Sequence, residues 1–160
     1  MTGQLTVRAR TARAGVIAAL AALPLAAAPA TAAADPVAQA SKTINVSERA
    51  SLHLVRKSGS TLWQAGTATG TLPGTVTTRF KVTLTSVTGT LKIVTRGGTV
   101  TLSVSGKPRS GGNNARFGGT MRVTGGSGKF KGASGSANFE GVVNRRSWAA
   151  NVSATGRLTY

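Results

Sequence analysis

From Leu52 to the C-terminus, most segments carry apolar side chains at every second position, and no stretch carries them at helical spacing. Val76, Thr78, Phe80, Val82 and Leu84 share one parity, with Arg79, Lys81 and Thr83 on the other. Val100, Leu102 and Val104 alternate with Thr101 and Ser103, and Phe117, Gly119, Met121 and Val123 with Gly118, Thr120 and Arg122. At the end, Trp148, Ala150, Val152, Ala154, Gly156, Leu158 and Tyr160 oppose Asn151, Ser153, Thr155, Arg157 and Thr159. Successive side chains on a strand point to opposite faces, so this pattern predicts antiparallel strands with one apolar face. The abundance of Thr and Val, stiff at χ1, favours the same state.

Turn signals at Ser58-Gly59-Ser60, Pro73-Gly74, Gly89, Arg96-Gly97-Gly98 and Arg145-Arg146 cut this texture into short runs. They predict eight strands, at roughly 50–57, 61–71, 74–88, 90–96, 99–105, 115–125, 133–144 and 147–160. Sequential hairpins with one apolar face close as a barrel or split into a sandwich. Closure leaves no edge strand, and several runs are long enough to wrap, so the fold class is all-β, an eight-stranded antiparallel β-barrel over 50–160. Small inward residues such as Ala150, Ala154 and Gly156 suit a curved interior. An open and a filled barrel are both compatible with them.

The N-terminal part has a different texture. Arg8, Arg10 and Arg13 precede the apolar run Ala14–Ala28, which Pro24 interrupts, and Ala32-Ala33-Ala34 ends in a small-residue motif before Asp35. Charge, apolar run and small exit predict a helical signal peptide over 1–34, cleaved near Ala34-Asp35, and a secreted, extracellular protein. The competing reading is a membrane anchor, but a spanning helix needs about 20 apolar residues, which this run does not supply. After cleavage no transmembrane segment is expected. Residues 35–47 show no clear period, and 35–49 read as a flexible lead-in, with a short edge strand at its end as the alternative.

Composition removes several chemistries. The chain has no Cys, one His (His53) and three carboxylate side chains, Asp35, Glu48 and Glu140. Disulfides, thiol nucleophiles and His or carboxylate metal clusters are therefore not expected, and neither is a cofactor. A Ser-His-acid triad would need His53, which alternation puts on the outer face beside Leu52 and Leu54. Gly126-Ser127-Gly128-Lys129 resembles a phosphate loop only superficially, since Phe130 stands where Ser or Thr is required and no helix follows. No catalytic residue is assigned.

The segment Val123–Phe139, VTGGSGKFKGASGSANF, resembles the corresponding turn of the allene oxide cyclase and dirigent-like barrel proteins. The matching residues are Gly125, Gly126, Ser127, Gly128, Phe130, Gly132 and Gly135, and the Gly156-Arg157-Leu158 ending is similar. The resemblance implies an eight-stranded antiparallel barrel. Its glycines read as a structural turn, and Phe130 as a plug for the barrel end. The cyclase activity does not carry over, because residues 51–88 contain no Asp or Glu to align with a catalytic carboxylate.

Two features remain as candidate sites. Glu140 sits at outward parity, where it would pair with Arg145 or Arg146. A bulge at Gly141 would turn it inward, as a lone barrel carboxylate with a raised pKa and a candidate acid or ligand anchor. The second feature is charge. The chain carries +17, and losing Arg8, Arg10 and Arg13 with the signal leaves +14. Lys107, Arg109, Arg116, Lys129, Lys131, Arg145 and Arg146 are the candidate contacts for a non-specific polyanion or anionic surface; the same residues also serve solubility. Few aromatics are left over as stacking platforms, so specific nucleic-acid recognition is not expected. The functional expectation is a secreted, non-enzymatic barrel that binds a small apolar ligand or an anionic envelope surface. The alternatives are an isomerase or cyclase acting on a hydrophobic substrate inside the barrel, and a structural protein with a filled core.

Overall fold

A computed structural model describes residues 41–160. The expected signal peptide and the first residues of the lead-in lie outside the described residues. Eight strands follow in order: β1 (Thr43–Ser58), β2 (Thr61–Gly70), β3 (Gly74–Val82), β4 (Val87–Thr95), β5 (Gly98–Pro108), β6 (Asn114–Gly126), β7 (Ser134–Asn144) and β8 (Ala150–Thr159). Each pairs antiparallel with the next, and β1 pairs with β8, so the sheet is a closed barrel. A single 3₁₀ turn, Gly128–Phe130, lies between β6 and β7.

The lead-in expectation needs correction. Residues 43–49 are strand, and β1 starts at Thr43 rather than near residue 50. This half of β1 is held by a distant partner: Thr43 pairs with Thr159 and Leu52 with Ala150. Its inward side chains, Ile44, Val46, Glu48 and Ala50, do alternate, but Glu48 interrupts the apolar row. Two further boundaries move. The β3–β4 turn is at Thr83–Ser86, not at Gly89. There the Thr83 N–H donates to the Ser86 carbonyl at 2.8 Å, and Thr83 Oγ1 accepts the Ser86 N–H at 3.0 Å. Side-chain bonds of this kind make a turn from residues that otherwise favour strands. Trp148 precedes β8 instead of starting it.

Because every connection is a hairpin, the turns fall alternately at two ends. The β1–β2, β3–β4, β5–β6 and β7–β8 connections share one end. The β2–β3, β4–β5 and β6–β7 connections share the other, together with the residues at which β1 begins and β8 ends.

The second end is filled. Phe130 is fully buried and meets Tyr160 edge to face, ring centroids 4.9 Å apart. Leu72 and Ala133 pack into the same apolar cluster as Val76, Val100 and Leu158. The 3₁₀ turn that places Phe130 starts at Gly128, where φ is +61° and a side chain would meet the Gly97 carbonyl. Gly125 is unlike it: a side chain there has open space. Gly128→Val should therefore destabilise by at least about 1 kcal/mol, since a β-branched residue is strained at positive φ. Gly125→Ala should change stability by no more than about 0.5 kcal/mol. Urea unfolding of the two variants checks the contrast.

Candidate functional site

The interior holds two cavities of different character. The inner one has a volume of about 60 Å³ and is lined by Val46, Val76, Val100 and Leu158 around Glu48. Glu48 is only 7% exposed. Its Oε1 accepts the Leu72 N–H, which ties the carboxyl to the β2–β3 turn, and its Oε2 has no partner. Gly70, its register neighbour, lacks the side chain that would stand 3.1 Å from Oε2. Burial among apolar side chains pushes the Glu48 carboxyl above its ordinary range, and the N–H groups of Leu72 and Thr71 pull the other way.

Glu140 does not have that role. It stays at outward parity, because the ladders of β7 run without a bulge on either side of Gly141. Its side chain is 72% exposed and accepts a hydrogen bond from Arg109 Nη1 at 2.7 Å, in place of the expected Arg145 or Arg146. Such a surface pair contributes about 0–1 kcal/mol. The barrel carboxylate is Glu48.

The outer cavity, about 440 Å³, opens at the unfilled end. Leu52, Leu62, Phe80, Val87, Val143 and Ala150 form its apolar wall. Gln64, Thr83, Arg116, Arg145 and Trp148 also line it. Gln64 is buried at inward parity on β2, and its Nε2 donates to the Trp148 carbonyl at 2.6 Å. Beside it on β3, the buried Thr78 hydroxyl has no partner.

Trp148 has φ +57°, the only non-glycine residue at positive φ among those described. A bulky side chain in that region costs roughly 1–3 kcal/mol unless its surroundings fix it. Several contacts do so. Asn144 winds the turn: its carbonyl accepts the Trp148 N–H at 2.6 Å, and its Oδ1 accepts the Arg146 N–H at 2.9 Å. Gln64 holds the Trp148 carbonyl from inside. Lys57 Nζ lies 4.4 Å from the indole centroid. The indole is thereby fixed at the rim of the cavity.

The candidate polyanion contacts do not form one patch. Lys107, Arg109, Arg116, Arg145 and Arg146 surround the open end, while Lys129 and Lys131 lie at the filled end. Lys129 Nζ sits over the Phe130 ring at 4.9 Å. Trp63 stands on the outer wall, with the guanidinium carbons of Arg56 and Arg79 at 5.2 Å and 5.6 Å from its centroid. His53 is exposed on that wall. In the glycine segment, Gly128, Gly132 and Gly135 have positive φ, while a side chain on Gly126 would collide with the Phe130 carbonyl. Among the described residues no group of acidic, His or Cys side chains could hold a metal ion, and no helix is long and apolar enough to cross a membrane.

Sequence reasoning missed Glu48, Gln64 and the position of Trp148. Glu48 and Gln64 did carry a signal: each is a polar residue at inward parity. No family model, curated protein or solved structure matches this chain.

The Glu48 geometry has a measurable consequence. A carboxyl whose pKa is raised by folding binds more protons in the native than in the unfolded chain. Stability therefore falls as pH rises from the ordinary carboxylate range through the raised value. Glu48→Gln keeps an acceptor for the Leu72 N–H and removes the titration. Urea unfolding across acidic to neutral pH should show the decline in the parent and a flatter profile in the variant.

Proposed function

We propose that this protein is an exported, non-enzymatic barrel that holds a small apolar ligand in the cavity at its open end. The observation that carries the reading is that cavity. Its roughly 440 Å³ lies in the size range of small-molecule sites, and an apolar wall with a few convergent polar groups is their usual make-up. Gln64, Thr83, Arg116 and Arg145 add amide, hydroxyl and guanidinium groups to the lining, which orient a ligand, and the lining holds no His, Lys or carboxylate to activate the Thr83 hydroxyl. Relationship to the allene oxide cyclase and dirigent-like barrels is part of the proposal and rests on the Val123–Phe139 segment. Fold analogy adds nothing about the ligand.

The isomerase or cyclase alternative would use Glu48 as its acid. A 60 Å³ space beside that carboxyl has room for a few waters and not for an organic substrate. A filled structural barrel is at odds with the outer cavity.

The test uses N-phenyl-1-naphthylamine, an apolar fluorescent probe. Its fluorescence should rise saturably with one site per chain. Val143→Trp narrows the cavity and should weaken binding at least about tenfold, about 1.4 kcal/mol, less than the burial of one aromatic group contributes. Glu48→Gln, in the other cavity, should leave binding within about twofold, as expected for separated sites. Unsaturable fluorescence, or equal binding by Val143→Trp with an unchanged thermal midpoint, would rule the site out.

A further inference from the structure

The open end presents to solvent an apolar tip set within a basic ring. Leu84 is 94% exposed. It stands on the Thr83–Ser86 turn, which Thr83 Oγ1 pins through bonds with the Ser86 N–H and, at 2.9 Å, the Ser86 hydroxyl. The bonded turn thus leaves Leu84 at the mouth of the outer cavity with its side chain open to solvent. Val55, 63% exposed, is the extra residue of a bulge close to the β1–β2 turn. The Trp148 indole is fixed at the same rim. Around these, Arg56, Lys57, Lys81, Lys107, Arg145 and Arg146 are all exposed. The acid in this region, Glu140, is engaged by Arg109.

We propose that the open end docks onto a lipid bilayer carrying anionic headgroups, with Leu84, Val55 and Trp148 entering the interface and the basic ring facing the headgroups. Charge complementarity selects an anionic partner, since basic residues gain free energy near such a surface and lose it with salt. The apolar tip selects a bilayer over a dissolved polyanion: a polymer in water gives Leu84 nothing to bury against, whereas the interface accepts leucine and tryptophan. The outer cavity opens at this end, so docking turns it toward the apolar phase. Leu84, Arg145 and Trp148 also line the mouth of the outer cavity, so probe binding without vesicles is measured on each variant to separate docking from ligand binding.

A chain starting at Asp35 retains every strand of the closed barrel, so it serves for the test and avoids the apolar N-terminal run. Its co-sedimentation is measured with vesicles of about 30% phosphatidylglycerol in phosphatidylcholine, and with phosphatidylcholine alone. Binding should need the anionic lipid. Arg145→Glu/Arg146→Glu at the open end should weaken it at least about tenfold, and Arg96→Glu/Lys131→Glu at the filled end less than about threefold. Leu84→Ser, a surface change that leaves folding intact by circular dichroism, should weaken binding several-fold, and the loss should persist when salt is raised. Equal effects of the two charge reversals, full binding by Leu84→Ser, or equal binding to phosphatidylcholine alone would each overturn the proposal. So would complete competition by soluble polyphosphate with Leu84→Ser unaffected, which would indicate a charged polymer as the partner. Probe binding without vesicles reports the cavity separately.

Discussion

Pairing of β1 with β8 is the contact on which the rest of the molecule depends. β1 is sixteen residues long and registers with both β2 and β8, so it closes the ladder and leaves no edge. Closure also fixes a narrow interior that large side chains cannot share at the same level. Glycines yield where aromatics intrude. Gly89 lies opposite Phe80, and a side chain there would stand 2.8 Å from that ring. Gly106 makes the same concession to Phe139. Placing a residue without a side chain against a large ring lets the strands curve tightly around the aromatic groups.

The two ends differ because of what their connections contain. The β6–β7 connection is long enough to make a turn and drop Phe130 into the barrel, where Tyr160 and Leu72 receive it. At the opposite end, the connections carry mostly Arg, Ser, Thr, Asn and Gly, which have no reason to enter an apolar space, and Trp148 lines the cavity without filling it. The β3–β4 connection does carry a leucine, but its backbone is bound into a short turn by Thr83 and Ser86, and Leu84 points outward. The cavity is the space left at an end with no plug of its own.

Much of this was legible in the sequence. Period-two alternation and closely spaced turn signals give the barrel and its strand count, with β3 carried too far through the Thr83–Ser86 turn and β8 begun too early, and Phe130 is readable as a plug from its place in a glycine-rich segment. What was not legible rests on distant partners. The first half of β1 looked aperiodic because Glu48 occupies an apolar position, and only the β2–β3 turn, some two dozen residues on, explains it by offering the Leu72 N–H. The Thr83–Ser86 turn contains no glycine or proline, so composition gave no reason to stop a strand there, and Leu84 was placed in the core by parity alone. A bulge at Gly141 was a reasonable way to bring a carboxylate inside. The unbroken β7 ladders keep Glu140 out, while β1 had an acid at inward parity from the start.

Glu48, Gln64 and Thr78 then pose a common question: why a barrel with so few polar interior groups keeps them. A buried polar group costs more than an apolar one unless it is bonded. Gln64 has a structural answer in Trp148, whose strained backbone it holds, and Glu48 has half of one in the β2–β3 turn. Each tie joins the interior wall to a connection at one end, Glu48 to the filled end and Gln64 to the open end. Apolar substitutes would fill these places but could not fix a turn, since dispersion contacts have no direction. Glu48 and Gln64 therefore set the geometry of the ends, a role the unbonded Thr78 hydroxyl does not share, and at the open end that geometry determines where the indole stands relative to the cavity and the surrounding basic ring.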